Sequence, residues 1–415
     1  MKILCINHEY PPIGGGGATA CKALTREFTA LGHDVTVVSA AYNSAYTSND
    51  GAKATLQFDV QDGVYIHRLK CRRSAPDQAS FFEMLSFLMA AFRFLPKLVK
   101  KSESSFDIVI AFFGIPSGVA AWYIKKRFKL PYVVRLGGGD IPGTQKRFAL
   151  VYTLLTPALK AIWRNASCVV ANSQGLRERA ERFYDKARFA VITNGVNLDD
   201  FPLSERGNVA APPVVAPAVQ FPAAQPPNTA THPQAPKKNT FHLITTARIV
   251  ERKGIQHVIE ALPRLIKETS GNIRYTIIGD GPYRNEIEIL AKSLDVSEYI
   301  EITGMIPFNE VVERLSKADI FVLTSHWEGM PNAVAEAMAM RLPVIMTACE
   351  GSAELIGENG YIIELDENIA ANLSKKILTL YNDNALLANM GQKSYERVCE
   401  SFLWNKSAKE YLTLL

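Results

Sequence analysis

Glu328 and Glu336, with seven residues between them, lie in the stretch Ser325–Pro343, SHWEGMPNAVAEAMAMRLP. A very apolar strand pattern, Asp319–Thr324, runs straight into it. Gly329 breaks that strand, Pro331 suits the first position of a helix, and small helix-forming residues follow to Met340. A helix starting there directs the amides of about Met330–Ala333 past the strand end, which makes an anion site whose usual occupant is phosphate. An acid beside an anion site costs electrostatic energy unless it does something else, such as hold sugar hydroxyls. The same residues also fit a plain strand-turn-helix corner with one capping and one solvated Glu.

Cationic and glycine-rich candidates lie elsewhere in the chain. Arg248 and Lys253 flank the turn Glu251-Arg-Lys-Gly254, so both can reach one diphosphate; a solvated surface pair is the alternative. Gly14–Gly17 precede a helical pattern over Thr19–Leu31 and allow close approach of a ligand at a helix start, or simply a flexible turn. They form neither GxGxxG nor a P-loop. The loop Gly137–Gly143 exposes Arg135 and Asp140 at the carboxyl end of a strand, where open α/β sheets bind ligands.

The elements that would position these residues alternate. Lys2–Asn7, Asp34–Ser39, Phe106–Phe112, Pro131–Leu136, Cys168–Ser173 and Phe189–Gly195 read as buried strands with helical patterns between them, as in a parallel, doubly wound sheet. A second alternation starts at Phe241–Val250 and runs through a helix from Ile255, strands at Arg274–Gly281 and Ile300–Ile306, and the Ser325–Pro343 stretch. Between the two, Gly207–Lys237 is Pro/Ala-rich without acidic residues or periodicity and reads as a flexible linker. The expected division is therefore a first α/β domain over 1–200, a linker over 201–240, a second α/β domain over 241–395 and a C-terminal helical stretch, 396–415, packing back toward the first domain.

At 415 residues two domains are expected, because single cores stop growing at roughly 250–300 residues. The six cysteines show no zinc or redox spacing; Cys5, Cys168 and Cys349 fall in apolar strand-like runs and are expected as buried free thiols in a reducing compartment. The N-terminus is too short and polar for a signal peptide, and no apolar run reaches the roughly 20 residues of a membrane span. The net charge of +5 hides an asymmetry: residues 1–200 carry 26 Lys and Arg against 16 Asp and Glu, or +10, and the remainder 20 against 25, or −5. A basic first half favours an anionic partner, and nucleic acid ranks low without a zinc-finger or aromatic-basic motif. Phe81–Val99 is apolar nearly all round with basic flanks. It fits a buried helix, or one presenting aromatics and Lys to an anionic membrane surface. The place expected from this is cytoplasmic, open to a peripheral position at the inner face of the membrane.

The motifs ARIVERKG (247–254), GDGP (279–282), EGMPNAVAEAMA (328–339) and TNGVN (193–197), in this order relative to the two α/β halves, resemble glycosyltransferase family 4, the retaining nucleotide-sugar enzymes of GT-B fold. The resemblance covers most of the chain except Gly207–Lys237. It implies two Rossmann-like doubly wound domains facing a cleft that binds a nucleotide-sugar. Arg248 and Lys253 would neutralise the leaving diphosphate with help from the backbone at Gly329, Met330, Pro331 and Asn332, of which Pro331 shapes the turn and the other three supply the amide N–H groups. Glu336 would hold the ribose, Glu328 the sugar, and Met305 and Ile306 would line the base. Gly15, Gly16 and Gly17 would close on the phosphate or acceptor. No metal or other cofactor is implied beyond the nucleotide-sugar itself, and the acceptor would be a glycan or lipid-linked glycan of a bacterial cell-surface polysaccharide or glycolipid. One departure stands out: many members carry a histidine in the loop after the strand matched by Val133–Leu136. Here that loop reads Gly-Gly-Gly-Asp, which leaves Asp140, with Arg135, to take that contact. A nucleotide-sugar epimerase of the same fold and a non-catalytic membrane-associated sugar-binding protein are the competing readings.

Overall fold

The computed structural model describes residues 1–42, 56–75, 79–101, 105–139, 141, 149–202 and 240–414, with the side chains of 56, 57 and 149–153 left aside. The chain divides into two compact units, Met1–Asn194 with Trp404–Leu415, and Gly195–Leu403.

The first unit is built from β1 (Lys2–Ile6), α1 (Gly16–Ala30), β2 (Asp34–Ala40), β3 (Leu56–Gln61), β4 (Val64–Leu69), α2 (Phe81–Lys101), β5 (Ile108–Phe112), α3 (Val119–Phe128), β6 (Tyr132–Arg135), α4 (Ala149–Asn165), β7 (Cys168–Ala171), α5 (Gln174–Phe183) and β8 (Phe189–Val191). Its sheet runs β3-β4-β2-β1-β5-β6-β7-β8, parallel throughout except for the β3–β4 hairpin at one edge. Near-continuous apolar runs such as Ile3–Ile6 and Ile108–Phe112 are what a parallel sheet covered on both faces requires.

In the second unit come β9 (Phe241–Thr246), α6 (Ile255–Glu268), β10 (Ile273–Ile278), α7 (Arg284–Ser293), β11 (Ile300–Gly304), α8 (Phe308–Lys317), β12 (Ile320–Leu323), α9 (Asn332–Ala339), β13 (Val344–Thr347), α10 (Ser352–Leu355), β14 (Gly360–Ile363), α11 (Ile369–Asn382) and α12 (Asn384–Ser401). All six strands are parallel, in the order β11-β10-β9-β12-β13-β14. Chain order thus reverses between β9 and β12, and the carboxyl ends of those two strands flank the position where such sheets take ligands. Both units are Rossmann-like, as the alternation predicts.

Of the stretch 396–415, residues to Ser401 finish α12 in the second unit, while α13 (Trp404–Thr413) belongs to the first. There Tyr411 packs edge-on against Phe28 of α1 at 6.3 Å, and the Ser407 hydroxyl donates to the Thr193 carbonyl at 2.8 Å. The proline-rich stretch 207–237 lies outside the described residues.

Local details differ from the sequence reading. α1 starts at Gly16 rather than near Thr19, because Gly15 serves as its N-cap and its carbonyl already accepts from Ala18 and Thr19. α2 is one continuous helix through Pro96. Its Phe87, Ala91 and Leu95 are buried in the core, yet Phe82, Leu85 and Met89 stand exposed, so the helix has two unlike faces. Cys5 and Cys168 are buried free thiols in strands, as expected. Cys349 is free too, but β13 ends at Thr347, so it is half-buried in the following loop.

Candidate functional site

The second unit gathers its polar groups at the switch between β9 and β12. β12 ends at Leu323, and Thr324–Pro331 form the turn before α9, whose N-cap is Pro331. The helix therefore begins one residue later than the proline predicts, which places Glu336 in its second turn. On the other side, β9 leads through Ala247–Val250 to a short 3-10 turn, Glu251–Lys253, and then to α6. Gly254 joins the last two in left-handed geometry (φ +65°), and a Cβ there would stand 1.8 Å from the Thr324 carbonyl oxygen. The Thr324 hydroxyl donates to the Gly254 carbonyl at 2.7 Å, and His326 N donates to the Arg252 carbonyl at 2.8 Å. These contacts press the two turns together, which fixes where Lys253 and Glu328 meet.

They meet as an ion pair. Lys253 Nζ donates to Glu328 Oε1, and the Ser325 hydroxyl donates to the same oxygen at 2.8 Å. Both side chains are largely enclosed, at 14% and 12% exposure. Burial pushes the Glu328 carboxyl up, but Lys253, Arg252 and the Ser325 hydroxyl outweigh it and hold it below the usual carboxylate range. Arg252 stacks over the Trp327 ring at 4.4 Å. Behind the turn, Thr347 donates to the Ser325 carbonyl, and Gly351 lies so close that a Cβ would sit 2.4 Å from the Gly329 carbonyl.

Glu336 differs from Glu328. It is half-buried, has no hydrogen bond or ion pair among the described residues, and burial alone pushes its pKa up to about 7. Neither glutamate is the solvated surface acid of the plain-corner reading. A carboxylate this easily discharged gains most from hydrogen-bond donors that arrive with a ligand.

Three loops lie side by side at the same strand ends. Ala247 N donates to Ile278 O at 3.0 Å, Ile249 N to Asp280 O at 2.9 Å, and Gly279 N to Gly304 O at 3.0 Å. Gly279 (φ +138°) and Gly281 make this possible, since a Cβ on either would fall within 2.2 Å of the carbonyl of Ala247 or Ile249. The half-buried Arg248 stands in the first loop; in the third, Met305 is 81% exposed and Ile306 packs on the core. The structure therefore brings Lys253, Glu328 and the start of α9 together and sets Arg248, Met305 and Ile306 on adjoining loops. A hollow of about 300 Å³ under α8, lined by His242, Thr276, Glu301 and Arg314, opens at the opposite end of β9.

The first unit carries its own polar edge, described by itself. Asn7, His8, Arg135, Asn172, Ser173 and Asn194 are buried where β1, β6, β7 and β8 end. Arg135 donates to Asn194 Oδ1, lies over the Phe112 ring at 5.3 Å and has no ion-pair partner among the described residues. The glycine run divides its labour. Gly17 must lack a side chain because a Cβ would meet the Phe113 ring at 2.4 Å, whereas Gly15 faces open space within 4 Å. Asp140 lies outside the described residues.

Several groups escape the sequence reading. His8 sits edge-on to Phe113 at 5.3 Å and 3.6 Å from Glu9, which in turn pairs with Arg73 at 3.5 Å. Burial pulls the His8 pKa down to about 4 despite Glu9. Its signal was its place just past an apolar strand. Ser325 and Arg252 carried none beyond adjacency to Glu328 and Lys253, since only the folded turns show where they point. Among the described residues no group of three or more His, Cys, Asp or Glu could hold a metal ion, and no helix is long and apolar enough to cross a membrane.

Comparison with known proteins follows the same two units. Residues 15–195 match the family described as Glycosyl transferase 4-like domain, and residues 228–397 that described as Glycosyl transferases group 1. The chain is 27% identical to TuaC of Bacillus subtilis, a glycosyltransferase named for teichuronic acid biosynthesis, over 99% of this chain and 96% of the relative. Among solved structures, the sucrose-phosphate synthase of Thermosynechococcus elongatus superposes with a TM-score of 0.75 at 18% identity, covering 100% of this chain and 98% of that one. The Anabaena protein Alr3699/HepE in complex with UDP-glucose gives 0.71 at 17% identity, covering 100% of both chains.

Proposed function

We propose a specific reaction from the premise that this chain belongs to the GT-B glycosyltransferases of the family 4-like group. The reaction is transfer of a hexose from a nucleoside diphosphate sugar to a glycan or lipid-linked acceptor, with retention at the anomeric carbon and without a metal. The observation that carries it is the Lys253–Glu328 pair beside the start of α9, at the switch point of the second sheet.

The chemistry follows from what each group offers. The bond between the anomeric carbon and the diphosphate oxygen breaks, and negative charge gathers on the leaving diphosphate. Lys253 and Arg248 are the cations able to neutralise it, with the α9 amides adding a dipole of the right sign. As Lys253 turns toward the phosphate, Glu328 is released to accept hydrogen bonds from sugar hydroxyls. Glu336, kept from full ionisation by burial, takes the ribose hydroxyls, whose protons supply what its setting lacks. The acceptor oxygen forms the new bond on the face the diphosphate leaves, and its proton passes to a diphosphate oxygen. Uridine nucleotides are the first donors to try, because HepE is solved with UDP, with UDP and glucose, and with UDP-glucose. TuaC points to bacterial cell-surface polysaccharide as the product class, and WaaG, another glycosyltransferase of this fold, is named for lipopolysaccharide biosynthesis.

The exposed face of α2 supports a peripheral place at the cytoplasmic face of a membrane. Phe82, Leu85 and Met89 continue at helical spacing into the exposed Arg93, Lys97 and Lys100, an apolar patch followed by a basic one.

A thermal-shift screen of UDP-, GDP- and ADP-sugars in the presence of EDTA tests the donor reading. One nucleotide class should raise the melting temperature, and NMR of the transferred product should show the anomeric configuration of the donor. Stabilisation only after a divalent ion is added, or an inverted product, refutes the mechanism.

A further inference from the structure

His257, in the first turn of α6, and His326, between Ser325 and Glu328, approach to 3.2 Å at their Nε2 atoms. The rings stand end to end, with centroids 5.5 Å apart and planes inclined by 31°. Both ride on fixed backbone: His257 N donates to the Gly254 carbonyl at 2.9 Å, and His326 N to the Arg252 carbonyl at 2.8 Å. His257 Nδ1 lies 3.1 Å from Glu260 Oε2. A carboxylate only accepts, so Nδ1 carries the proton and Nε2 keeps its lone pair turned toward His326. His326 is exposed, so the gap between the rings is open to solvent.

We propose that His257 and His326 form a two-histidine site for a borderline divalent transition-metal ion, with zinc as its reference occupant. Tetrahedral zinc with Zn–N bonds near 2.05 Å holds two ligand nitrogens roughly 3.3 Å apart. The pair already stands at that separation, and each ring need swing only roughly 35° for the two lone pairs to converge on one ion. Glu260 then occupies the outer position that metal-binding histidines usually give to a carboxylate, fixing the tautomer and raising the basicity of the ligating nitrogen. On binding, the His326 proton moves from Nε2 to Nδ1 of its exposed ring, so no proton is lost overall. Water completes the coordination, because no third His, Cys, Asp or Glu closes on the pair among the described residues.

The site ties together the two turns that carry Lys253 and Glu328. It does not depend on the glycosyl-transfer reading, and its test does not use transfer. Zinc chloride titrated calorimetrically into the full chain at neutral pH should show a site of unit stoichiometry. His257→Gln, which can still hydrogen-bond His326, and His326→Ala should each weaken that site at least tenfold. Glu260→Gln should weaken it less. Melting temperatures without metal check that the variants fold. Cobalt in place of zinc should give a spectrum without the near-ultraviolet thiolate band, which excludes the six cysteines as ligands. Zinc affinity unchanged in either histidine variant, a thiolate band, or no binding at all overturns the proposal and leaves the pair as a surface hydrogen bond.

Discussion

Lys253 Nζ donates to the Glu328 carboxylate across two turns that follow different strands, β9 and β12, of one sheet. A ligand phosphate that attracts Lys253 must therefore compete with Glu328. Changing Glu328 to Gln should leave nucleoside diphosphate affinity intact or raise it, while transfer falls sharply, because interactions made in the transition state appear in the rate. Changing Lys253 to Met strands a largely enclosed carboxylate and should destabilise the chain by about 1–3 kcal/mol. The double variant should recover part of that loss. Calorimetry, kinetics and denaturant titration on the three variants check this, and a double variant no more stable than Lys253→Met would show that the pair is not coupled.

Glu336 should make both stability and nucleotide binding depend on pH near neutrality. Its folded pKa, about 7, is raised above the ordinary carboxyl value. The folded state thus holds the proton more tightly, and the stability this gives is complete below about pH 4 and is lost as pH rises through 7. Nucleotide binding should run the other way if the ionised form receives the ribose hydroxyls, strengthening from pH 6 to pH 8. Glu336→Gln should flatten both profiles and weaken nucleoside diphosphate by about 1–3 kcal/mol. Wild-type and variant profiles that coincide would remove Glu336 from the site.

The sequence reveals the two parallel sheets because apolar strand runs alternate with helical periodicity, a local signal that tertiary structure rarely reverses. It also singles out Lys253 and Glu328, through the glycines and proline around them. Their pairing was not legible, since it depends on β9 and β12 becoming neighbours although 73 residues separate Thr246 from Ile320. Helix starts shifted by one to three residues for a related reason: Gly15 and Pro331 act as caps through backbone geometry, which residue type constrains only loosely. His8 and Ser325 stayed hidden because burial and direction, rather than identity, make them candidates.

The glycines give opposite expectations at two positions. Gly254→Ala places a methyl 1.8 Å from the Thr324 carbonyl in a left-handed residue, so the turn carrying Lys253 must shift. A loss of roughly 2–4 kcal/mol in stability, with weaker nucleotide binding, is expected. Gly15→Ala meets nothing within 4 Å and should change stability by no more than about 1 kcal/mol. If the run serves a ligand's approach, that variant will lose transfer while keeping its melting temperature. Urea titrations of both separate the two roles, and a Gly254→Ala protein as stable as wild type would mean the two turns are not pressed together.

The exposed face of α2 sets the last expectation. Phe82 is 73% exposed, with Leu85 and Met89 on the same face and Arg93, Lys97 and Lys100 continuing it. Apolar side chains at the front of a basic stripe suit the boundary between acyl chains and anionic headgroups, each basic residue adding about 1 kcal/mol near such a surface. Liposomes containing anionic lipid should bind the protein at low salt and release it as salt rises, because the attraction is screened within about 10 Å at 0.1 M. Replacing Phe82, Leu85 and Met89 by Ser should weaken binding at every salt concentration, while Lys97→Glu with Lys100→Glu should abolish mainly its low-salt part. None of these side chains belongs to the buried core, so melting temperatures should hold. Sedimentation with vesicles reads both effects, and a protein that ignores anionic vesicles at low salt would leave α2 as a core helix whose outer face has no lipid partner.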